Sequence, residues 1–376
     1  MSTPTIGTAP VPEETESGPR SHRLVHKLAL PPMPRIPRVR VPRTVNWVLR
    51  LFVLAAAAAV VAVPLFWGGD VWAQRVALAA IYAIIGLSVN TLTGHAGQIS
   101  LGHQAFVGIG AFFSAFLVSQ MGAPFGFGLA GAALLGGATA GIIGIVALRV
   151  RGLYLALVTL AFGMTAETTI FNLRSFTGGG AGAEAPRPEL VNGDIAFAVL
   201  CLSAVALVLF IDWRMTSTKT GRAMAALRSN EQVAATLGIN TTGYKLLAFF
   251  LSGLIAGLAG GLFAHWNQIV QALDFDFQVA LVWVLMAVVG GLRSRLGIVI
   301  ASSFFALLPL ILPGFLSGLP FQIPFLSETV YHVLPPLVVV IFLLIVLRFY
   351  PGGLGQLLAP LTRWVAGQNR SKKERA

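Results

Sequence analysis

Four polar side chains, Gln98, Ser100, His103 and Gln104, lie in a glycine-rich stretch between two apolar runs. Amides, a hydroxyl and an imidazole are expensive in an apolar medium unless paired. They therefore mark either hydrogen bonds between helices or the path of a polar solute. Both readings stay open on the residues alone. His95 and His103 are eight residues apart with no acidic neighbour, which argues against a metal site. His95 is expected in a loop at a membrane surface. Glu167 reads as the only acid well inside an apolar run. A buried carboxylate can relay protons, or it can pair with Arg174 or reach water.

A second group lies between Asp212 and Tyr244. Ser229 and Gln232 fit a capping box, which predicts a helix from about Asn230 to Leu237. Gly238 suits a left-handed termination. A short helix with its own cap, held between two apolar segments, is either an ordinary surface helix or a docking element. Arg228, Ser229, Glu231, Gln232, Ala234, Ala235 and Gly238 are the candidates for docking. Other chemistry lacks its residues. No glycine precedes a lysine, so there is no phosphate-cradling Walker loop. Leu251-Ser252-Gly253-Leu254 resembles the start of an ATPase signature, but it lies within an apolar run. No catalytic triad or pair of carboxylates is visible. The single cysteine, Cys201, excludes an internal disulfide and a cysteine-based metal site.

The elements that must position these groups are membrane helices. The 376 residues are 56% hydrophobic and 11% charged, against about 25% charged in an average soluble domain. Ten crossings are expected, at roughly 48–67, 76–93, 101–119, 124–148, 153–171, 195–211, 246–266, 277–292, 296–312 and 329–347. With a cytoplasmic N-terminus they leave all but three of the 26 basic residues on the cytoplasmic side. Arg75, Arg174 and Arg187 fall outside, with Asp70, Glu184, Glu189, Asp194, Asp274, Asp276 and Glu328. This is the positive-inside asymmetry of a multi-pass membrane protein. The expected fold is therefore an all-α, polytopic transmembrane helical bundle with both termini cytoplasmic. The net charge of +12 does not point to nucleic acid, because the basic residues flank apolar segments instead of forming one patch.

Broken or re-entrant helices are expected at 94–104, in the short 277–292 run, and where Pro309 and Pro313 interrupt 296–312. Gly253, Gly257 and Gly261 recur every four residues, as do Gly136, Ala140 and Gly144, and small residues at that spacing let helices approach closely in lipid. Residues 1–47, basic and proline-rich, read as a disordered cytoplasmic tail that could also meet anionic headgroups. The transmembrane body is expected over 48–350, with a cytoplasmic loop over 212–244 and a basic tail over 351–376.

Four ordered blocks carry a family resemblance. They run from Gly94 to Gly110, from Leu148 to Gly163, from Phe176 to Gly179, and from Gly290 to Arg293. Together with the segment from Gly221 through Gly238 to Phe249, they resemble LivM-type permeases of branched-chain amino-acid ABC importers. Val233 stands where the usual coupling motif has glutamate, and the spacing to Gly238 is short. The resemblance implies that 229–238 is the coupling loop for an ATPase. It further implies a second homologous permease subunit, two cytoplasmic ABC ATPases and an extracytoplasmic solute-binding protein. ATP and Mg would then bind the partner ATPases, with no cofactor on this chain. The implied location is the bacterial cell membrane, and the implied cargo is a branched-chain amino acid. Urea or short-amide permeases of the same family are the alternative, and an ion-coupled carrier is a more distant one.

Overall fold

Apolar runs with almost no internal charge leave the backbone one way to satisfy its hydrogen bonds in lipid, and that way is helical. The computed structural model describes residue 59 and residues 61–150, 152–317, 328–350 and 352–365. A helix ending at Trp67 precedes α1 (Gly69–Val89), which continues as a π-helical turn, Asn90–His95. Then come α2 (His103–Ala115, prolonged by a π turn, Phe116–Gln120), α3 (Phe125–Ala147) and α4 (Leu153–Thr168). After a connector comes α5 (Asp194–Ser217), followed by two short helices, α6 (Lys219–Ser229) and α7 (Glu231–Thr236). The chain closes with α8 (Thr241–Asn267), α9 (Phe277–Gly290), α10 (Arg295–Ser317), α11 (Glu328–Phe349) and α12 (Leu354–Val365).

Among the described residues, seven helical stretches are long and apolar enough to cross a membrane. They coincide with seven of the ten expected crossings, and the chain is a multi-pass membrane protein. The expected crossings at 101–119 and 329–347 appear as α2 and α11. Most of 48–67, like the tail 1–47, lies outside the described residues. The expected basic tail 351–376 opens with α12, whose Leu354, Leu357, Leu358, Leu361 and Trp364 recur at helical spacing.

The three expected helix breaks resolve differently, and the 277–292 run is not broken but forms the continuous helix α9. The chain does break after His95, and no regular element forms again until His103. Pro309 and Pro313 do not interrupt α10, which runs through both. A proline removes one backbone bond, and membrane helices absorb that loss through small local adjustments.

The glycine stripes face each other. A Cβ on Gly136 would stand 2.7 Å from the Gly253 carbonyl oxygen and 2.8 Å from Gly257 Cα. That contact brings α3 onto α8, and α8 packs as closely on α2. α2 is buried almost throughout and forms the centre. α1 packs against α5, α8 and α10 around it. Leu134, Ile142 and Ile145 on α3, and Leu207 and Phe210 on α5, are exposed and suit a lipid-facing surface.

The two ends of the bundle differ. At one end, Arg187 pairs with Asp194 at 2.6 Å and donates to the His265 carbonyl, and the short strands β1 (Ala183–Glu184) and β2 (Ile269–Val270) pair antiparallel. At the other end α1 finishes, α6 and α7 lie, and Arg222, Arg228, Arg293 and Arg295 gather. We call this the basic end.

Candidate functional site

The basic end is organised by Asp212, a carboxylate expected in the 212–244 loop. α5 extends through Ser217, so Asp212 lies inside it with its side chain fully buried. Glu167 is therefore not the only acid inside an apolar helix. Asp212 Oδ1 meets His95 Nε2 at 2.8 Å, and its Oδ2 accepts from Arg295 Nε. Arg295 also bonds Thr216 Oγ1 one turn along. His95 is likewise buried and not in a surface loop. Its Nε2 also meets Asn90 Nδ2 at 3.2 Å, and Asn90 Oδ1 accepts from the backbone N–H of Arg293 at 2.7 Å. Arg293 holds a left-handed φ of 76°, uncommon for a residue with a side chain, in this anchored turn. α1, α5 and the start of α10 are thereby joined through one buried, charged cluster. Removing Arg295 would leave the Asp212 carboxylate buried with one charged partner fewer, which is costly.

α6 continues the cluster. Its apolar residues, Ala223 to Leu227, form one short unbroken run without a helical period, so the sequence carries little signal for it; Ala223, Met224 and Leu227 are the buried ones. At its end, Arg228 donates from Nη1 to the carbonyl oxygen of Gly94. A Cβ on Gly97 would stand 2.8 Å from Arg228 Cγ, so the arginine stem lies along that glycine. Partial burial, then the neighbouring Arg293 guanidinium, draw the Arg228 pKa below its ordinary value.

α7 follows after one residue. Its cap is Asn230, not Ser229. Asn230 Oδ1 accepts from the N–H groups of Gln232 and Val233 at 3.0 and 3.1 Å. Ser229 instead ends α6 and donates to the Ala225 carbonyl at 2.9 Å. Asparagine is an equal or better cap, and Ser229 is one residue too early. Gly238 closes α7 at φ 77°, as expected. Ala234 faces inward and is buried, whereas Gln232, Ala235 and Gly238 are exposed. Val233 and Leu237 are 53% and 73% exposed, an apolar face on a short helix outside the spans. Glu231 pairs with the buried Lys245 at 2.7 Å, fastening α7 to α8.

The Gly94–Gly110 stretch runs from this cluster into the bundle. Thr93 Oγ1 donates to the Gln98 carbonyl, and the Leu101 N–H donates to Thr159 Oγ1 on α4. The irregular backbone is thus satisfied by protein, as it must be at membrane depth. His103 Nε2 lies 3.0 Å from Ser252 Oγ, and Ser252 exchanges bonds with Ser88. Ser252 is well inside α8, so α2 starts deep in the bundle. Ser100 and Gln104 are fully buried. Ser100 Oγ, His103 Nδ1 and both polar atoms of the Gln104 amide have no hydrogen-bond partner among the described residues. Gln98 is only partly buried and bonds the Ala96 carbonyl at 3.3 Å. Glu167 is half-buried near the end of α4, one turn beyond Gly163, which packs on Gln104. Among the described residues, no group of three His, Cys, Asp or Glu side chains could hold a metal ion.

Residues 73–348 match the family model described as branched-chain amino acid transport system / permease component. The high-affinity branched-chain amino acid transport system permease protein LivM of Salmonella typhimurium is 33% identical over 250 residues, 59% of each chain. LivM of Escherichia coli K12 is 32% identical over 253 residues, 60% of each chain. A probable branched-chain amino acid permease, LivH of Methanocaldococcus jannaschii, is 37% identical over 83 residues, 22% of this chain and 26% of LivH. The chain thus spans about three fifths of the length of the LivM relatives it matches. No solved structure matches. With the family model covering most of its length, the chain belongs to the family of permease components of branched-chain amino acid transport systems.

Proposed function

We propose that this chain is the transmembrane permease subunit of an ATP-binding-cassette importer, moving branched-chain amino acids into the cell. The observation that carries this reading is α7. It is a separately capped helix outside the spans, and it presents Val233 and Leu237 to its surroundings. An exposed apolar face fixed on a rigid base is what a cytoplasmic ATPase needs to push against. α6 and Arg228 connect that face to the broken segment in the bundle.

In this reading the basic end faces the cytoplasm, in keeping with the positive-inside asymmetry. Residues 212–244 form the coupling region, with its first six residues as the end of α5. Two ATPase subunits hydrolyse ATP on partner chains. A second homologous permease completes the pathway, and an extracytoplasmic binding protein delivers solute to the Arg187 end. Gln98, Ser100, His103 and Gln104 border the path. Glu167, near the end of α4 beside Asp276 and the Phe277 backbone, is a further candidate for the path.

The test is uptake of labelled leucine by cells expressing the chain with its ATPases, and by cells lacking both ATPases. Uptake should vanish without them. Uptake that persists would refute the importer reading and favour an ion-coupled carrier. Competition by isoleucine and valine, but not by urea, should accompany it.

A further inference from the structure

A cavity of about 680 Å³ opens at the basic end. Its wall holds the four arginines Arg222, Arg228, Arg293 and Arg295, with His95 and Ser229, and no acidic side chain. Among the described residues only Arg295 of the four has a carboxylate partner, Asp212, which lies buried behind it. Arg228 is spent on a neutral carbonyl. No ion pair is found among the described residues for Arg222 or Arg293. The pocket therefore carries an excess of about three positive charges within one concave surface, the arrangement that selects a multiply charged anion. The remaining lining residues are small or hydroxylated, with no aromatic side chain and nothing to stack on a nucleobase. Recognition would fall on the charged oxygens alone. Guanidinium groups match phosphate oxygens with paired N–H donors.

We propose that this pocket is an anion site that takes a phosphate group, with Arg222, Arg228 and Arg293 as its ligands. Two sources share that chemistry. One is a soluble polyphosphate. The other is the headgroup of an anionic phospholipid, since basic pockets between membrane helices at the cytoplasmic face hold such headgroups. The site adjoins the docking face: no residue of α7 lines it, but Arg228 and Ser229, at the end of α6, do. A phosphate there would reinforce the Arg228–Gly94 contact from the other side and bind α6 to the start of α10.

The experiment uses the full-length protein in phosphatidylcholine nanodiscs, without ATPase, so its failure is separate from any failure of the importer reading. One arm titrates inorganic pyrophosphate by calorimetry. The other replaces a fraction of the lipid with phosphatidylglycerol and counts retained lipid by native mass spectrometry. Binding in either arm should weaken about tenfold in R222Q/R293Q, as expected for losing hydrogen bonds to a charged group. It should be unchanged in K219Q, which removes a charge outside the pocket. Pyrophosphate binding assigns a soluble source, and selective phosphatidylglycerol retention assigns the lipid. Should R222Q/R293Q lose its native melting transition, the exposed single variant R222Q is read instead. Absence of binding in both arms, or equal binding by the arginine variants and K219Q, overturns the proposal.

Discussion

Arg228, the penultimate residue of α6, donates a hydrogen bond to the carbonyl oxygen of Gly94, 134 positions earlier in the chain. Gly94 closes the helical part of α1, just before the segment that breaks and re-enters the bundle. One side chain therefore spans from the region proposed to receive the ATPase to the region proposed to border the solute. The carbonyl it binds is one that a regular helix would have used internally. This bond, and the arginine stem resting on Gly97, tie α6 directly to the break.

Replacing Arg228 with glutamine should weaken that link by about 1.5–3 kcal/mol, the range for a hydrogen bond to a charged group. Leucine uptake should fall severalfold while the ATPases still associate and the protein inserts normally. Measuring ATPase activity and uptake on the same reconstituted complex checks this. Loss of both together would mean that Arg228 serves assembly and not transmission.

Asp212→Asn should be clearly destabilising. It takes the carboxylate charge from Arg295 and alters the hydrogen bond to His95, at a cost of about 1–3 kcal/mol. The melting temperature of the detergent-solubilised protein should drop sharply. A second change, Arg295→Met, should recover part of the loss, since removing both charges avoids stranding one. A double variant no better than Asp212→Asn alone would show that the two do not act as a pair.

Much of the scaffold was legible because lipid leaves the chain few options. Apolar runs became helices, and the facing glycine stripes of α3 and α8 came into contact. The break after His95 followed from polar side chains crowded among glycines. The charged cluster was not legible. Asp212 stands beside Trp213 and Arg214 where an apolar run fades, and sequence gives no sign that α5 continues another turn. His95 gains its meaning only from partners 117 and 5 positions away. The cap of α7 was misplaced by one residue because Ser229 and Asn230 are both good caps, and only the path of α6 decides between them.

Two glycines should respond differently. At Gly238, φ is 77° and no heavy atom lies within 4 Å of where a Cβ would stand. Valine there meets only backbone strain of about 1–2 kcal/mol, so insertion should survive and ATPase co-purification should weaken. At Gly253 a Cβ would collide with Ala140 and the Gly136 carbonyl. Valine there should separate α3 from α8 and reduce the yield of folded protein. Equal yields for the two variants would show that the α3–α8 contact does not limit folding.

Orientation is testable at two exposed sites. Cys201 is buried, so a single introduced cysteine reports cleanly. Ser229→Cys, at the basic end, should resist an impermeant thiol reagent in intact cells. Glu189→Cys, near Arg187, should react. The reverse pattern would invert the bundle and remove the ATPase from reach of α7.

The Gln104 amide offers the sharpest test of the solute path. It is fully buried, and neither its nitrogen nor its oxygen has a partner among the described residues. A Cβ on Gly163 would press against this amide, so the groove holding it is tailored to its size. An orphaned buried polar group costs about 1–3 kcal/mol, and leucine would remove that cost at similar volume. If Gln104 were only a packing element, Gln104→Leu should stabilise the protein and leave uptake intact. If the amide borders the path, the same variant should melt higher and transport less. His103→Leu serves as the contrast, because His103 bonds Ser252 and its loss strands that hydroxyl group. It should lower both stability and uptake. We expect the divergence at Gln104, with a raised melting temperature and at least a severalfold loss of leucine uptake. Unchanged uptake in Gln104→Leu would remove Gln104 from the pathway.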